Sequence, residues 1–198
     1  MPCNAEAGLI SSARLYSWPE FHERPNMIDL RKFIRDVPDF PKKGIVFKDI
    51  TPLLGNPDAM CEAVRQLAAP FQGKGVEAVA AVESRGFIFG ALVARHLKAG
   101  FVPVRKAGKL PWKTVKQTYD LEYGTDAIEI HADAVKPGQK VLMIDDLVAT
   151  GGTLAAACEL VSRLGGQVLG AAAVIELAFL DGRKKLGNYS LHSLIKVP

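Results

Sequence analysis

The chain has 198 residues, 48% hydrophobic and 23% charged, with 25 Lys and Arg against 21 Asp and Glu for a net charge of +4. That length suits one α/β domain with a core large enough to need no disulfides, and no apolar run approaches the roughly 20 residues of a bilayer-spanning helix. The basic excess is too slight to mark a nucleic-acid surface and is met equally well by an anionic small substrate. Cys3, Cys61 and Cys158 are odd in number, far apart and without CxxC spacing, which points to free thiols in a reducing cytoplasm. His22, His96, His131 and His192 have no metal-ligand spacing.

Residues 1–26 mix Gly, Ser and Pro with Tyr16, Trp18 and Phe21 and lack the basic start and apolar core of a secretory signal; they read as an extension, disordered or packed on the domain. After Asp29, the spacing of Leu30, Phe33, Ile34 and Val37 predicts an amphipathic helix that Pro38 ends. A rigid turn over 38–44 then leads into an extended run over 45–50. Asn56 and Pro57 open a helix through Val64 and Leu67 to Pro70. Gly73, Lys74 and Gly75 precede a strand instead of following one, so they make no dinucleotide fingerprint. That strand covers 76–82. Glu83, Ser84, Arg85 and Gly86 stand at its carboxyl end before a helix over 87–97, where Arg85 can present its planar fork to phosphate oxygens.

A strand over 100–104 runs into a cationic stretch, Arg105, Lys106, Lys109, Lys113 and Lys116, broken by Gly108 and Pro111. Residues 119–123 alternate as a strand, Gly124, Thr125 and Asp126 turn, and 127–130 return, which makes a hairpin flap suited to cover an anionic group. The most informative stretch follows. Residues 141–144 are an uninterrupted branched apolar run, as in a parallel strand buried on both faces, and Asp145 and Asp146 stand at its carboxyl end, where open α/β sheets bind ligands. Leu147, Ala149, Thr150, Gly151, Gly152 and Thr153 lead into a helix over 154–164 that Gly165 and Gly166 stop. Small residues at a helix N-terminus bring unpaired N–H groups and the positive dipole end to an anion. Hydroxyl acceptors beside a phosphate cradle describe a ribose 5-phosphate site. Further strands over 168–175 and 191–197 complete an α/β alternation, and hence a mainly parallel, doubly wound sheet flanked by helices.

The stretch 141–153 resembles the 5-phosphoribosyl 1-diphosphate (PRPP) motif of type I phosphoribosyltransferases. Glu83 to Phe87, Arg105 to Pro111 and Leu121-Glu122-Tyr123-Gly124 resemble the adenine-using branch of that family, over roughly 27–198. The resemblance implies a single domain over 27–198 with an N-terminal hood over about 27–55 and a flexible β-hairpin flap over about 105–130. It implies adenine and PRPP as substrates and AMP and diphosphate as products, with Mg²⁺ carried by the diphosphate and water and no protein metal site. Val46 and Lys48 would read the base through backbone groups, with Phe47 and Leu147 stacked on its two faces. A cis peptide between Glu83 and Ser84 would aim N–H groups at the diphosphate, which Arg85, Arg105, Lys106 and Lys109 would neutralise. Asp145 and Asp146 would hold the ribose hydroxyls, residues 149–153 the 5′-phosphate, Glu122 would manage a proton at the base, and Tyr123 would line the substrate site. Arg105 would reach the neighbouring subunit's diphosphate, so a homodimer with flap contacts across its interface is implied. Ala107 stands where the family often has a basic residue, which lowers the flap's charge.

Three alternatives compete with this reading. A relative acting on 6-oxopurines would share the sugar-phosphate machinery but place a donor, often a lysine side chain such as that of Lys48, at O6. A PRPP-sensing regulator would need a DNA-reading module. A kinase or PRPP synthetase would need a Gly-x-x-x-x-Gly-Lys-Ser/Thr loop, which this chain lacks.

Overall fold

The computed structural model describes residues 28–120 and 124–198. The N-terminal extension, with Tyr16, Trp18 and Phe21, lies outside them. Asp29 accepts a hydrogen bond from the Arg31 N–H, yet the turn it caps is a single 3-10 turn, Leu30–Phe33. The chain then enters strand β1, Arg35–Pro38, which pairs antiparallel with β2, Val46–Asp49. This corrects the helix expected through Val37. Pro38 forces its predecessor into extended backbone, and β1 gains a partner ladder cross-linked by ion pairs from Arg35 to Asp49 and from Lys48 to Asp36. Leu30 alone of the expected apolar stripe is buried. A short helix α1, Thr51–Leu54, follows. Helix α2, Pro57–Ala68, starts as expected, with the Asn56 side chain accepting from the Ala59 N–H.

From here strand and helix alternate: β3 (Ala78–Val82), α3 (Gly86–Leu97), β4 (Gly100–Lys106), β5 (Thr114–Asp120), β6 (Thr125–His131), β7 (Lys140–Val148), α4 (Gly152–Arg163), β8 (Gln167–Leu177), a short α5 (Gly182–Lys185) and β9 (Leu191–Val197). Seven strands form one sheet in the order β5-β6-β4-β3-β7-β8-β9. The four pairings from β4 through β9 are parallel, and the β5–β6 hairpin joins β4 antiparallel at the edge. The sheet is thus mainly parallel, as the alternation requires. The hairpin is longer than expected, because β5 begins at Thr114 and pairs with β6 from Thr114 opposite His131 to Asp120 opposite Thr125.

Strand β7 shows why an unbroken apolar run means a central strand. Met143 and Val141 face one core layer with Leu154, Leu160 and Val161 of α4, while Leu142 and Ile144 face another with Leu67 of α2 and Phe89 and Val93 of α3. All four β7 side chains are fully buried, each worth about 1.5–3 kcal/mol relative to exposure. Helices α3 and α4 therefore cover opposite faces, and the crossovers from β3 and β7 run in opposite directions. The gap between the carboxyl ends of those neighbouring strands is the topological switch point, where ligands of open α/β sheets bind.

Candidate active site

Two strand ends meet at that gap. Strands β3 and β7 are paired through Ala81 opposite Ile144, so Glu83, Ser84 and Arg85 emerge beside Asp145 and Asp146. Glycine at position 86 gives the acidic strand room: a Cβ there would stand 2.9 Å from Asp145 Oδ1 and 3.3 Å from Asp145 Cα, so the carboxylate would have to shift. The Glu83–Ser84 peptide is cis, as the resemblance implied. Between the strand ends opens a cavity of about 350 Å³.

Its floor is an acidic pair taken out of water. Asp145 Oδ1 accepts from the Asp146 N–H at 2.9 Å, and Arg85 Nε lies 2.8 Å from Asp146 Oδ2. That approach is an ion pair without hydrogen-bond alignment, since Oδ2 accepts no aligned hydrogen bond. Burial raises the Asp145 pKa well above the usual carboxylate range, and the charge of Asp146 pushes it the same way. Burial also raises Asp146, against the opposing pull of Arg85. Two adjacent buried carboxyls, one of them paired with a guanidinium, share protons as a unit, and the unpartnered Asp146 Oδ2 suits a hydroxyl donor.

Ala149, Thr150, Gly151 and Thr153 form the next wall. Gly151 takes a left-handed conformation (φ 77°) before α4, whose first turn has no side-chain cap. Uncapped N–H groups and the helix dipole converge there, an arrangement that favours a phosphoryl group. Leu147 lines the cavity between the aspartates and this loop.

The hairpin closes the opposite side. Arg105 Nε donates to Glu83 Oε2 at 2.5 Å, and the Lys106 N–H donates to Glu83 Oε1 at 3.2 Å, so the flap root is tied to the end of β3. The Lys106 ammonium, on the cavity wall, lies 3.4 Å from Asp126 Oδ2. Lys109 takes part through its backbone, which donates to the buried carboxylate of Glu129 together with Leu110 N–H and Thr114 Oγ1. Val46, Phe47 and Lys48 stand on β2 and do not form the cavity wall; the Phe47 ring meets it through the Arg85 guanidinium, 5.2 Å from the ring centre. The Lys48 ammonium is held by Asp36 at 2.7 Å. Glu122 and Tyr123 lie outside the described residues; Ser84, which is exposed, and Gly152 do not line the cavity.

Sequence reasoning missed Tyr119 and Asp126, which face each other across β5 and β6 and line the cavity. The signal was available in the period-2 alternation of 126–130, which puts Asp126, Ile128 and Ile130 on one side. It also missed Glu129, because a carboxylate in a polar hairpin reads as solvated until the hairpin is docked on the sheet. Among the described residues, no group of three or more His, Cys, Asp or Glu is placed to hold a metal ion, and no helix is long and apolar enough to cross a membrane.

A mainly parallel sheet whose switch point joins an acidic pair to a glycine-bearing loop at a helix N-terminus is the architecture of a type I phosphoribosyltransferase, and residues 57–190 match the family model of the phosphoribosyl transferase domain. A protein of Thermobifida fusca named adenine phosphoribosyltransferase is 54% identical over 166 residues, 84% of this chain and 94% of its own length. The crystal structure of adenine phosphoribosyltransferase from Rhodothermus marinus, 53% identical, matches with a TM-score of 0.82 over 85% of this chain and 96% of that one. The Saccharomyces cerevisiae structure, complexed with an imino-altritol bisphosphate and adenine, matches at 42% identity and a TM-score of 0.79 over 83% of this chain and 96% of that one. The chain belongs to the adenine phosphoribosyltransferase family.

Proposed function

We propose that the chain serves purine salvage by transferring the 5-phosphoribosyl group of PRPP to adenine. N9 of the base protonated at N7 attacks C1′ with inversion, the C1′–oxygen bond to diphosphate breaks with its electron pair leaving on the diphosphate, and AMP forms as Glu122 takes the N7 proton. The observation that carries this reading is the buried pair Asp145–Asp146 beside the uncapped α4 N-terminus, on the two walls of one cavity.

The residues divide the work by charge. Asp145 and Asp146 accept the ribose hydroxyls and favour the positive charge of an oxocarbenium-like transition state. Residues 149–153 hold the 5′-phosphate and so fix the sugar for attack. Arg85 leaves Asp146 for the diphosphate, joined by Arg105 and Lys106. Mg²⁺ bound through diphosphate oxygens and water would neutralise charge on the leaving group. The donor set fits that role: the acidic pair, with Asp146 Oδ2 lacking an aligned partner, would hold the ion through water, as expected of a cation that keeps its hydration shell. Glu122 shares a proton at N7 of the base and tunes the nucleophile.

For the base, Lys48 supports adenine over 6-oxopurines. Its ammonium is bound to Asp36 and its side chain is only 15% exposed, so it is not offered as a donor to an exocyclic oxygen. The enzyme acts in the cytoplasm as a homodimer with flap contacts between subunits. Diphosphate release from PRPP and Mg²⁺, measured with adenine, hypoxanthine, guanine and xanthine in turn, tests the proposal. Turnover is expected with adenine alone; turnover favouring a 6-oxopurine, or none with adenine, overturns it.

A further inference from the structure

The loop assigned to the 5′-phosphate is in close backbone contact with a remote segment. Gly151 packs against a distant piece of chain, the start of α5: a Cβ on Gly151 would fall 2.1 Å from the Gly182 carbonyl oxygen. The approach is reciprocal, because a Cβ on Gly182 would fall 2.3 Å from the Ala149 carbonyl oxygen and 3.0 Å from Gly151 N. Both glycines are buried, and the two backbones touch where no side chain fits between them.

What holds Gly182 in place is its neighbour. Arg183 forms a forked ion pair with Glu176, which is 4% exposed on β8, through Nε and Nη2. Its Nη1 donates to the Leu191 carbonyl at 2.6 Å and its Nη2 to Ser193 Oγ at 3.0 Å, both on β9. Ser193 Oγ in turn donates to Glu176. Arg183 thus stitches the α5 turn to the last two strands through both carboxylate oxygens, a main-chain carbonyl and a hydroxyl, the planar geometry that a lysine cannot reproduce. The hydrogen bonds of Arg183 and Ser193 hold the Glu176 carboxyl below its usual pKa against the opposing effect of burial, so the pair stays ionised at neutral pH.

We infer that Gly182 and Arg183 are positioning residues for the phosphate loop: the Glu176–Arg183–Ser193 clamp presses the Gly182 backbone against residues 149–151 and so sets the loop before the 5′-phosphate arrives. The inference rests on the proposed assignment of residues 149–153 to that phosphate. A preformed cradle binds without paying for loop ordering on each encounter, so loosening the buttress weakens ligands that carry the 5′-phosphate and spares those that do not.

Calorimetry with AMP and with adenosine separates the two questions. The wild-type chain is expected to prefer AMP strongly. Gly182→Ala, whose methyl group meets the Ala149 carbonyl, is expected to weaken AMP at least tenfold while adenosine changes less than twofold. Arg183→Lys keeps the charge and loses the fork, and is expected to weaken AMP about three- to tenfold with adenosine again unchanged. In turnover both variants should raise the KM for PRPP more than they lower kcat. Arg183→Lys carries the test alone if Gly182→Ala does not fold. Folded variants that keep the wild-type preference for AMP, or that lose AMP and adenosine in equal proportion, overturn the clamp. A wild-type chain indifferent to the phosphate overturns the assignment of the loop itself, and the clamp with it.

Discussion

A carboxyl group only 9% exposed, as Asp145 is, and placed next to a second one raises its pKa because the charged form has lost water and faces a like charge. The native state then keeps a proton that the unfolded chain gives up in the ordinary carboxylate range, so stability falls as pH rises from that range toward the raised pKa. Asp145→Asn removes the liability and keeps an oxygen for the Asp146 N–H. Its melting temperature should exceed that of the wild type at pH 7–8, by about 2–4 °C for each kcal/mol of relief in a chain of this size, and the gain should shrink as pH falls through the carboxylate range. The same substitution should weaken PRPP roughly 10- to 100-fold, as expected for the loss of a hydrogen bond to a charged group worth about 1.5–3 kcal/mol. Thermal scans at several pH values and a PRPP titration check both halves. A variant less stable at neutral pH than at acid pH, relative to the wild type, would show that the pair is satisfied within the fold.

At the scale of elements, Ile128 and Ile130 dock the hairpin β5–β6 into the core, with Val115 and Tyr119 packed against it, and polar contacts fix its root. Arg163 of α4 donates to the Lys116 carbonyl and the Gln117 side chain, and Glu129 gathers the Lys109 and Leu110 N–H groups and the Thr114 hydroxyl at its root. Burial alone would raise the pKa of Glu129, but these hydrogen bonds outweigh it and the pKa is lowered. The stabilisation is therefore present above the unfolded carboxylate pKa and is lost as pH falls through the lower native value. Glu129→Gln should open the root: trypsin cleavage after Lys106, Lys109 and Lys113 should quicken roughly tenfold, which corresponds to about 1.4 kcal/mol of easier local opening. Band-by-band mass spectrometry would locate the cuts; unchanged cleavage would mean that the sheet pairing alone holds the flap. This hairpin also shows where the sequence stops speaking. The apolar run at 141–144 and the glycines after it were readable because a central strand and a helix start are written locally. The alternation of 126–130 gave the side on which Asp126 lies but not what it meets there: the surroundings of Asp126, Tyr119 and Glu129 come from β4, β3 and α4, and the contact of Gly151 with Gly182 joins residues that no periodicity connects. The stripe from Leu30 to Val37 misled for a related reason: its spacing fits a helix, but the pairing of β1 with β2 decides the outcome from a segment ten residues further on.

For the whole molecule, the switch-point topology assembles one cavity from β3, β7, the α4 N-terminus and the hairpin, and leaves open which subunit's Arg105 completes it. In the isolated chain Arg105 lies on its own Glu83, yet the proposed dimer sends it across the interface. Sedimentation should give about twice 21.4 kDa. The assignment of Arg105 follows from mixing Arg105→Ala with Asp145→Asn at a PRPP concentration too low for either variant alone to turn over. If Arg105 serves the neighbouring site, each mixed dimer holds one site with an intact acidic pair and an intact arginine and one site with neither. Random pairing of a two-fold dimer then restores about a quarter of wild-type activity. If Arg105 serves its own site, every site in every pairing lacks one of the two groups and no activity returns. Recovery is expected, and it requires the Arg105–Glu83 ion pair to break as the flap closes, so Glu83→Gln should shift the KM for PRPP in the parent protein as well. Absence of recovery, with exchange of subunits verified by mass spectrometry, would leave Arg105 where the isolated chain holds it and make the flap a lid over its own subunit's cavity.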